Sequence, residues 1–281
     1  MREITLGQYY PVSSPMHRLD PRVKLLMMIT YIVMIFFINT FVGYGVVLLL
    51  LALTIAVSKI PPIKVLKSLK MIMFLVIFTV IMSLLFYKGN ADDILWKWGI
   101  IKIYKAGLIN AGKMALRLML LVLGPTMITY TTTPVELTDG LESLLKPLSY
   151  IKFPVHELAI IMSIALRLIP TLVEETDKIT SAQKARCADF ESGNLFKRAK
   201  AMIPVLIPLF VSSFRRADDL ADAMDSRCYR GAKGRTRMKK LQLHFADFIA
   251  FFVLIVFFFV ILWLKYNFLP FIDLTTLGWL I

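Results

Sequence analysis

Two cysteines, Cys187 and Cys228, and three histidines, His17, His156 and His244, are all the thiols and imidazoles among 281 residues. They are scattered and form no metal-ligand spacing, so no metal site is expected. Both cysteines fall in a long charged stretch, where reduced structural thiols are the expectation and a disulfide is not. Acids are scarce too: 19 Asp and Glu stand against 33 Lys and Arg, for a net charge of +14. The few acids that could serve catalysis lie mostly on what look like solvated helix faces, and no convergent acid, base and nucleophile set emerges. The opening stretch MREITLGQYYPVSSPMHRLDP has no apolar core, so a cleaved leader is not expected. The first apolar run should stay in the mature chain as a signal anchor.

A phosphate-binding loop is missing as well. Gly107-Leu-Ile-Asn-Ala-Gly112-Lys113-Met114 imitates one, but Met114 replaces the hydroxyl that would hold magnesium. No strand precedes it and an apolar run follows. The chain is therefore expected to bind no cofactor of its own. Nor does the positive charge carry a nucleic-acid motif.

What is abundant is apolar sequence, 58% by composition, gathered into runs at 25–57, 71–87, 118–130 and 248–264. Ordinary soluble domains hold about 45–50%. A spanning helix needs about 20 apolar residues. The 33-residue run 25–57 would be about 50 Å long as one helix. It is broken by Asn39-Thr40 and Gly43-Tyr44-Gly45, and so predicts two short helices with a tight outer turn. Further spans are predicted at 69–87, 109–130 and 246–265, after a stop at Lys59-Ile60-Pro61-Pro62. The expected fold is all-α: a polytopic membrane protein of about five transmembrane helices with a large helical cytoplasmic region.

Charge orients it. Segments 1–24, 58–70 and 131–245 hold 26 of the 33 Lys and Arg, which places them inside, with the C-terminus outside. Residues 88–106 become an outer loop. The organisation is then a membrane domain at 1–130, a cytoplasmic coupling region at 131–245, and a final transmembrane helix with a short tail at 246–281. Lys113 and Arg117, at the start of the fourth span, are expected to snorkel to the outer interface. The tail bearing Lys233, Arg235, Arg237, Lys239 and Lys240 reads as an orientation signal and anionic-lipid contact. Leu158–Val173 and Ile203–Phe214 are short for spanning. Arg167, Pro170, Pro204 and Pro208 should interrupt or end them, so spanning, re-entrant and surface-lying placements all stay open.

Thr131-Thr132-Thr133-Pro134-Val135-Glu136 predicts a helix start, with caps, a first-turn proline and a first-turn acid. Beyond it lies a repeat at an offset of 41 residues: Leu168 matches Leu209, Asp177 matches Asp218, and Ala182 matches Ala223. Its clearest match sets Ala185-Arg186-Cys187 against Ser226-Arg227-Cys228. Gly193-Asn194 and Gly231 look like the helix ends that follow. Phe214, Ala217, Ala221, Met224 and Cys228 fall on one helical face. An arginine between small neighbours, near a helix end, can dock in a partner's groove and present its fork to carboxylates or carbonyls. The plainer alternative is that each arginine only complements its helix dipole.

These residues resemble the T component of energy-coupling factor transporters, importers of the ATP-binding-cassette class. The likeness covers nearly the whole chain. It includes Ser14-Pro15-Met16-His17-Arg18-Leu19-Asp20-Pro21-Arg22-Val23-Lys24, the Thr131–Pro134 start, and Leu166-Arg167-Leu168-Ile169-Pro170-Thr171. Most specific are Ala182-Gln183-Lys184-Ala185-Arg186 and Ala223-Met224-Asp225-Ser226-Arg227. The family signature is a pair of Ala-Arg-Gly-like motifs. Here Cys stands at both third positions, which weighs against an unusual backbone angle there.

The resemblance implies a non-enzymatic coupling subunit in the cell membrane. Two cytoplasmic ATPases, which bind ATP and Mg, would be gripped at Ala185, Arg186, Cys187 and at Ser226, Arg227, Cys228. A separate membrane-embedded substrate-binding S component would contact Leu166, Leu168, Pro170, Phe214, Leu220 and Met224. A vitamin or other micronutrient would be the cargo. Two rival readings are a self-contained secondary transporter, which the cytoplasmic position of the repeat disfavours, and a membrane enzyme.

Overall fold

The computed structural model describes residues 9–86, 94–98, 101–190, 192, 194–231 and 241–267. Helix α1 (Pro21–Phe37) begins as its sequence predicts: Asp20 caps it, accepting from the Arg22 amide, and Pro21 occupies the first turn. A three-residue break leads to α2 (Phe41–Ser58), capped by Thr40. The break falls at 38–40. Gly43 and Gly45 lie inside α2, not in the turn, because the Thr40 side chain caps the helix by accepting from the Gly43 amide. Helix α3 (Pro62–Phe86) starts at the second proline of the stop signal.

The expected outer loop contains a hairpin that the sequence did not suggest. Strands β1 (Ile94–Trp98) and β2 (Ile101–Tyr104) pair antiparallel, with an irregularity between Ile94 and Trp96. Helix α4 (Lys105–Thr131) follows directly. The phosphate-loop lookalike lies within this helix, so it is not a loop, and its amides beyond the first turn are committed to the helix. Helix α5 (Pro134–Leu145) opens with a capping box: Glu136 N–H donates to the Thr133 hydroxyl, and Thr133 N–H to the Glu136 carboxylate. A 3-10 turn at Lys146–Ile151 leads to α6 (Val155–Ala185), then α7 (Leu195–Asp225) and α8 (Phe245–Asn267).

Among the described residues, five helices are long and apolar enough to cross a membrane: α2, α3, α4, α6 and α8. Helix α1 has 17 residues, the lower limit for spanning. Helix α6 enters the set because its apolar first half runs on through Pro170. The expectation that prolines end these segments is wrong. Pro170 lies inside α6, and Pro204 and Pro208 lie inside α7. Each proline removes one ladder bond, but the remaining bonds of a 31-residue helix carry it through. The basic tail 232–240 lies outside the described residues.

The chain divides into two compact units, one within Gly7–Leu141 and Leu241–Ile281, the other within Glu142–Lys240. The first is a bundle of α1 to α4 and α8. Its core joins Met34 and Ile35 of α1, Tyr44 and Val47 of α2, Leu120 and Leu123 of α4, and Leu254 and Ile261 of α8. Helices α1 and α4 approach closely at Gly124, where a Cβ would sit 2.1 Å from the Tyr31 ring. The Tyr31 hydroxyl donates to the Leu120 carbonyl at 3.0 Å. Arg117 does more than snorkel. Its guanidinium donates to the Ile38 carbonyl at 2.7 Å and the Tyr44 hydroxyl at 3.2 Å, tying α4 to the α1–α2 turn. Lys113 lies over the Phe41 ring.

A buried polar node closes one end of this bundle. Lys24, 1% exposed, donates to the Thr131 carbonyl at 2.9 Å and the Thr132 hydroxyl at 3.0 Å. The Asp247 carboxylate takes the Asp20 amide at 2.8 Å and the His244 amide at 2.7 Å. Asp247 thus caps its own helix and holds the start of α1 at once.

The second unit is poor in core. Among its described residues, Val155 and Val205 are the buried hydrophobics.

Candidate functional site

The two arginine motifs sit at the ends of α6 and α7, each helix 31 residues long. Both ends close in the same way. Cys187 N–H donates to the Lys184 carbonyl and Ala188 N–H to the Gln183 carbonyl, both at 3.0 Å. Forty-one positions on, Cys228 N–H donates to Asp225 at 2.9 Å and Tyr229 N–H to Met224 at 3.1 Å. This doubled bond pattern is the Schellman motif, which requires a left-handed residue just past the helix. Cys187 has φ +64 and Cys228 φ +57.

The sequence misled here in two ways. The helices end at Ala185 and Asp225, just before the cysteines, not at Gly193-Asn194 or Gly231; Gly193 lies outside the described residues, Asn194 precedes α7, and Gly231 comes after its end. The backbone angle expected to be lost with glycine is kept. A non-glycine residue pays roughly 1 kcal/mol for that conformation, and two Schellman bonds at each end hold it there.

This closure fixes where each arginine points. Arg186 and Arg227 are the last residues before the left-handed turn, beside the helix's unsatisfied carbonyls. Both are exposed, as are Ala185, Cys187, Ser226 and Cys228. Among the described residues neither guanidinium has a hydrogen-bond or ion-pair partner, so both forks stay available. Each sits at the negative end of its helix dipole, which favours the cation by up to about 1 kcal/mol. The dipole role and a docking role are compatible.

The six residues expected to meet a membrane partner are spread along both helices. Leu166, Leu168 and Pro170 of α6 and Met224 of α7 are half-buried, while Phe214 and Leu220 of α7 are exposed, Phe214 at 69%. The stripe of Phe214, Ala217, Ala221, Met224 and Cys228 is largely exposed. It is an open face, not a packed seam.

An ion pair that motif reasoning missed joins the two helices: the Arg216 guanidinium donates to the Glu175 carboxylate. The signal was present in the repeat, since the two residues stand 41 positions apart. The motif segments at 14–24 and 131–134 are also brought together, through the Lys24 node in the other unit.

The family model described as cobalt transport protein, CbiQ, matches residues 12–238, a span that includes both arginine motifs. The energy-coupling factor transporter transmembrane protein EcfT of Clostridium kluyveri is 53% identical over 250 residues, 89% of this chain and 92% of its own length. Its namesake in Ruminiclostridium cellulolyticum is 50% identical over 268 residues, covering 95% and 99%. That of Acidaminococcus fermentans is 48% identical over 267 residues, covering 95% and 98%. Matched along nearly its full length, with both helix ends inside the match, this chain belongs to the CbiQ family and is a transmembrane component of an energy-coupling factor transporter.

Proposed function

We propose that this chain is the coupling subunit of an ATP-driven importer and that α6 and α7 are its coupling helices. The observation that supports this most is the shared end geometry. Two helices of equal length present an exposed, unpaired arginine on the same Schellman turn, as two similar partner surfaces would require. Each arginine docks on one of two cytoplasmic ATPases, which hold ATP and Mg. The neighbouring small residues, Ala185 and Cys187 or Ser226 and Cys228, let the backbone come close enough for a bidentate contact.

Long helices respond to force as rigid bodies. Movement of the ATPases at the arginine ends therefore reaches the apolar parts of both helices. There Leu166, Leu168, Pro170, Phe214, Leu220 and Met224 form the contact with the substrate-binding S component. The cargo is a vitamin or comparable micronutrient chosen by that subunit. The N-terminus and residues 131–245 face the cytoplasm of the cell in which the chain is embedded, consistent with their Lys and Arg excess.

The test is the double variant Arg186→Glu with Arg227→Glu. The expected result is a folded membrane protein that no longer co-purifies with the ATPases, with uptake down at least about tenfold. Normal assembly and uptake would refute the docking role. Ion-driven uptake by this chain alone would instead favour a secondary transporter.

A further inference from the structure

The Glu175–Arg216 ion pair links positions that the internal repeat makes equivalent. The same offset of 41 relates the two sets of cap bonds at the helix ends. Glu175 and Arg216 thus mark a point, the crossing, at which repeat-equivalent positions of α6 and α7 meet.

From that crossing the two arms are equal. Arg186 follows Glu175 by 11 positions, and Arg227 follows Arg216 by 11. Helical rise makes each arm about 16 Å long. Turning one helix by about 10° about the crossing would carry its tip about 3 Å. The separation of the two arginine ends is thus set by the crossing angle.

Half-buried side chains such as Leu172, Ile179, Leu209 and Ser213 also line these helices, but deeply buried packing is scarce among the described residues. Val155 and Val205 are the unit's buried hydrophobics, so packing there is sparse and directional contacts gain weight. The ion pair is itself half-buried, its Glu175 and Arg216 side chains 21% and 35% exposed. The guanidinium presents a planar fork, which restrains angle as well as distance.

We propose that Glu175 and Arg216 are positioning residues that set the spacing of the Arg186 and Arg227 ends. The consequence for transport rests on the coupling role above; the spacing itself does not. A rigid crossing makes the two arginine ends move as one calibrated pair. A loosened crossing lets either ATPase move its own end while the other stays behind.

The chain supplies its own probes. Cys187 and Cys228 are its two cysteines, both exposed and each next to a motif arginine. Nitroxide labels on these thiols in the full-length chain, in lipid nanodiscs without ATPases, report tip separation by double electron–electron resonance. The expected wild-type result is a single narrow distance distribution. Glu175→Gln should shift or broaden it by about 3 Å or more. The exchanged pair, Glu175→Arg with Arg216→Glu, should restore the wild-type distribution. An unchanged distribution in Glu175→Gln overturns the proposal, and so does failure of the exchanged pair to restore it. Should Glu175→Gln not fold, Arg216→Gln replaces it in the same comparison. Because no ATPase is present, a negative result here leaves the docking of Arg186 and Arg227 untouched, and the co-purification test leaves this one untouched.

Discussion

The Lys24 ammonium donates to the Thr132 hydroxyl at 3.0 Å across 108 positions of sequence. This bond joins the start of the first helix to the end of the fourth, in a place from which water is nearly excluded. A buried cation there needs acids nearby, and the capping carboxylates Asp20 and Asp247 are buried at the same end of the bundle.

Lys24→Met should therefore destabilise the bundle by about 3 kcal/mol. It leaves the Thr131 carbonyl and Thr132 hydroxyl without their donor and removes a cation from beside buried carboxylates. Thermal scanning of the purified chain in detergent should show a fall in apparent melting temperature of several degrees. A fall of less than one degree would mean that the node is solvated.

Gly124→Ala tests the close approach of α1 and α4. The new methyl would sit 2.1 Å from a Tyr31 ring atom, within a core that has no room to shift freely. The expected cost is about 1–3 kcal/mol. Tyr31→Leu also weakens the core, but the double variant should be less unstable than the sum of the two singles. Strict additivity in that cycle would rule out the steric account.

Cys187→Gly and Cys228→Gly should tighten the helix ends. Each cysteine holds a left-handed φ that costs it roughly 1 kcal/mol and costs glycine almost nothing. Amides in the last turns of α6 and α7 should exchange hydrogen up to about fivefold more slowly, with ATPase binding kept. Valine at the same positions should do the opposite, since a branched side chain tolerates that backbone poorly. Equal exchange in the Gly and Val variants would show that the cap turn carries no strain.

Much of the bundle was legible because hydrophobic runs and charge excess are local signals. The run 25–57 broke at 38–40, close to Asn39-Thr40. The start at Thr133-Pro134-Val135-Glu136 formed the capping box that its spacing allows. The hairpin Ile94–Trp98 with Ile101–Tyr104 was missed although Trp96-Lys97-Trp98 and Ile101-Lys102-Ile103 alternate, because each alternation is only three residues long and lies in a stretch that its lysines marked as loop. The helix ends were misplaced because glycine is the usual left-handed residue, and here cysteine takes that conformation twice.

By itself the sequence determined which segments are apolar enough for a membrane, which flanks are basic, and that one arginine motif occurs twice at a spacing of 41. Each of these depends on residues near one another in the chain, and solvation and helical periodicity read them directly. Tertiary structure alone decided that Lys24 serves Thr131 and Thr132, that Asp247 holds the start of the first helix, and that Glu175 meets Arg216. Those pairings depend on which surfaces become neighbours after burial, and a buried charge accepts only a partner that packing has delivered to within about 3 Å.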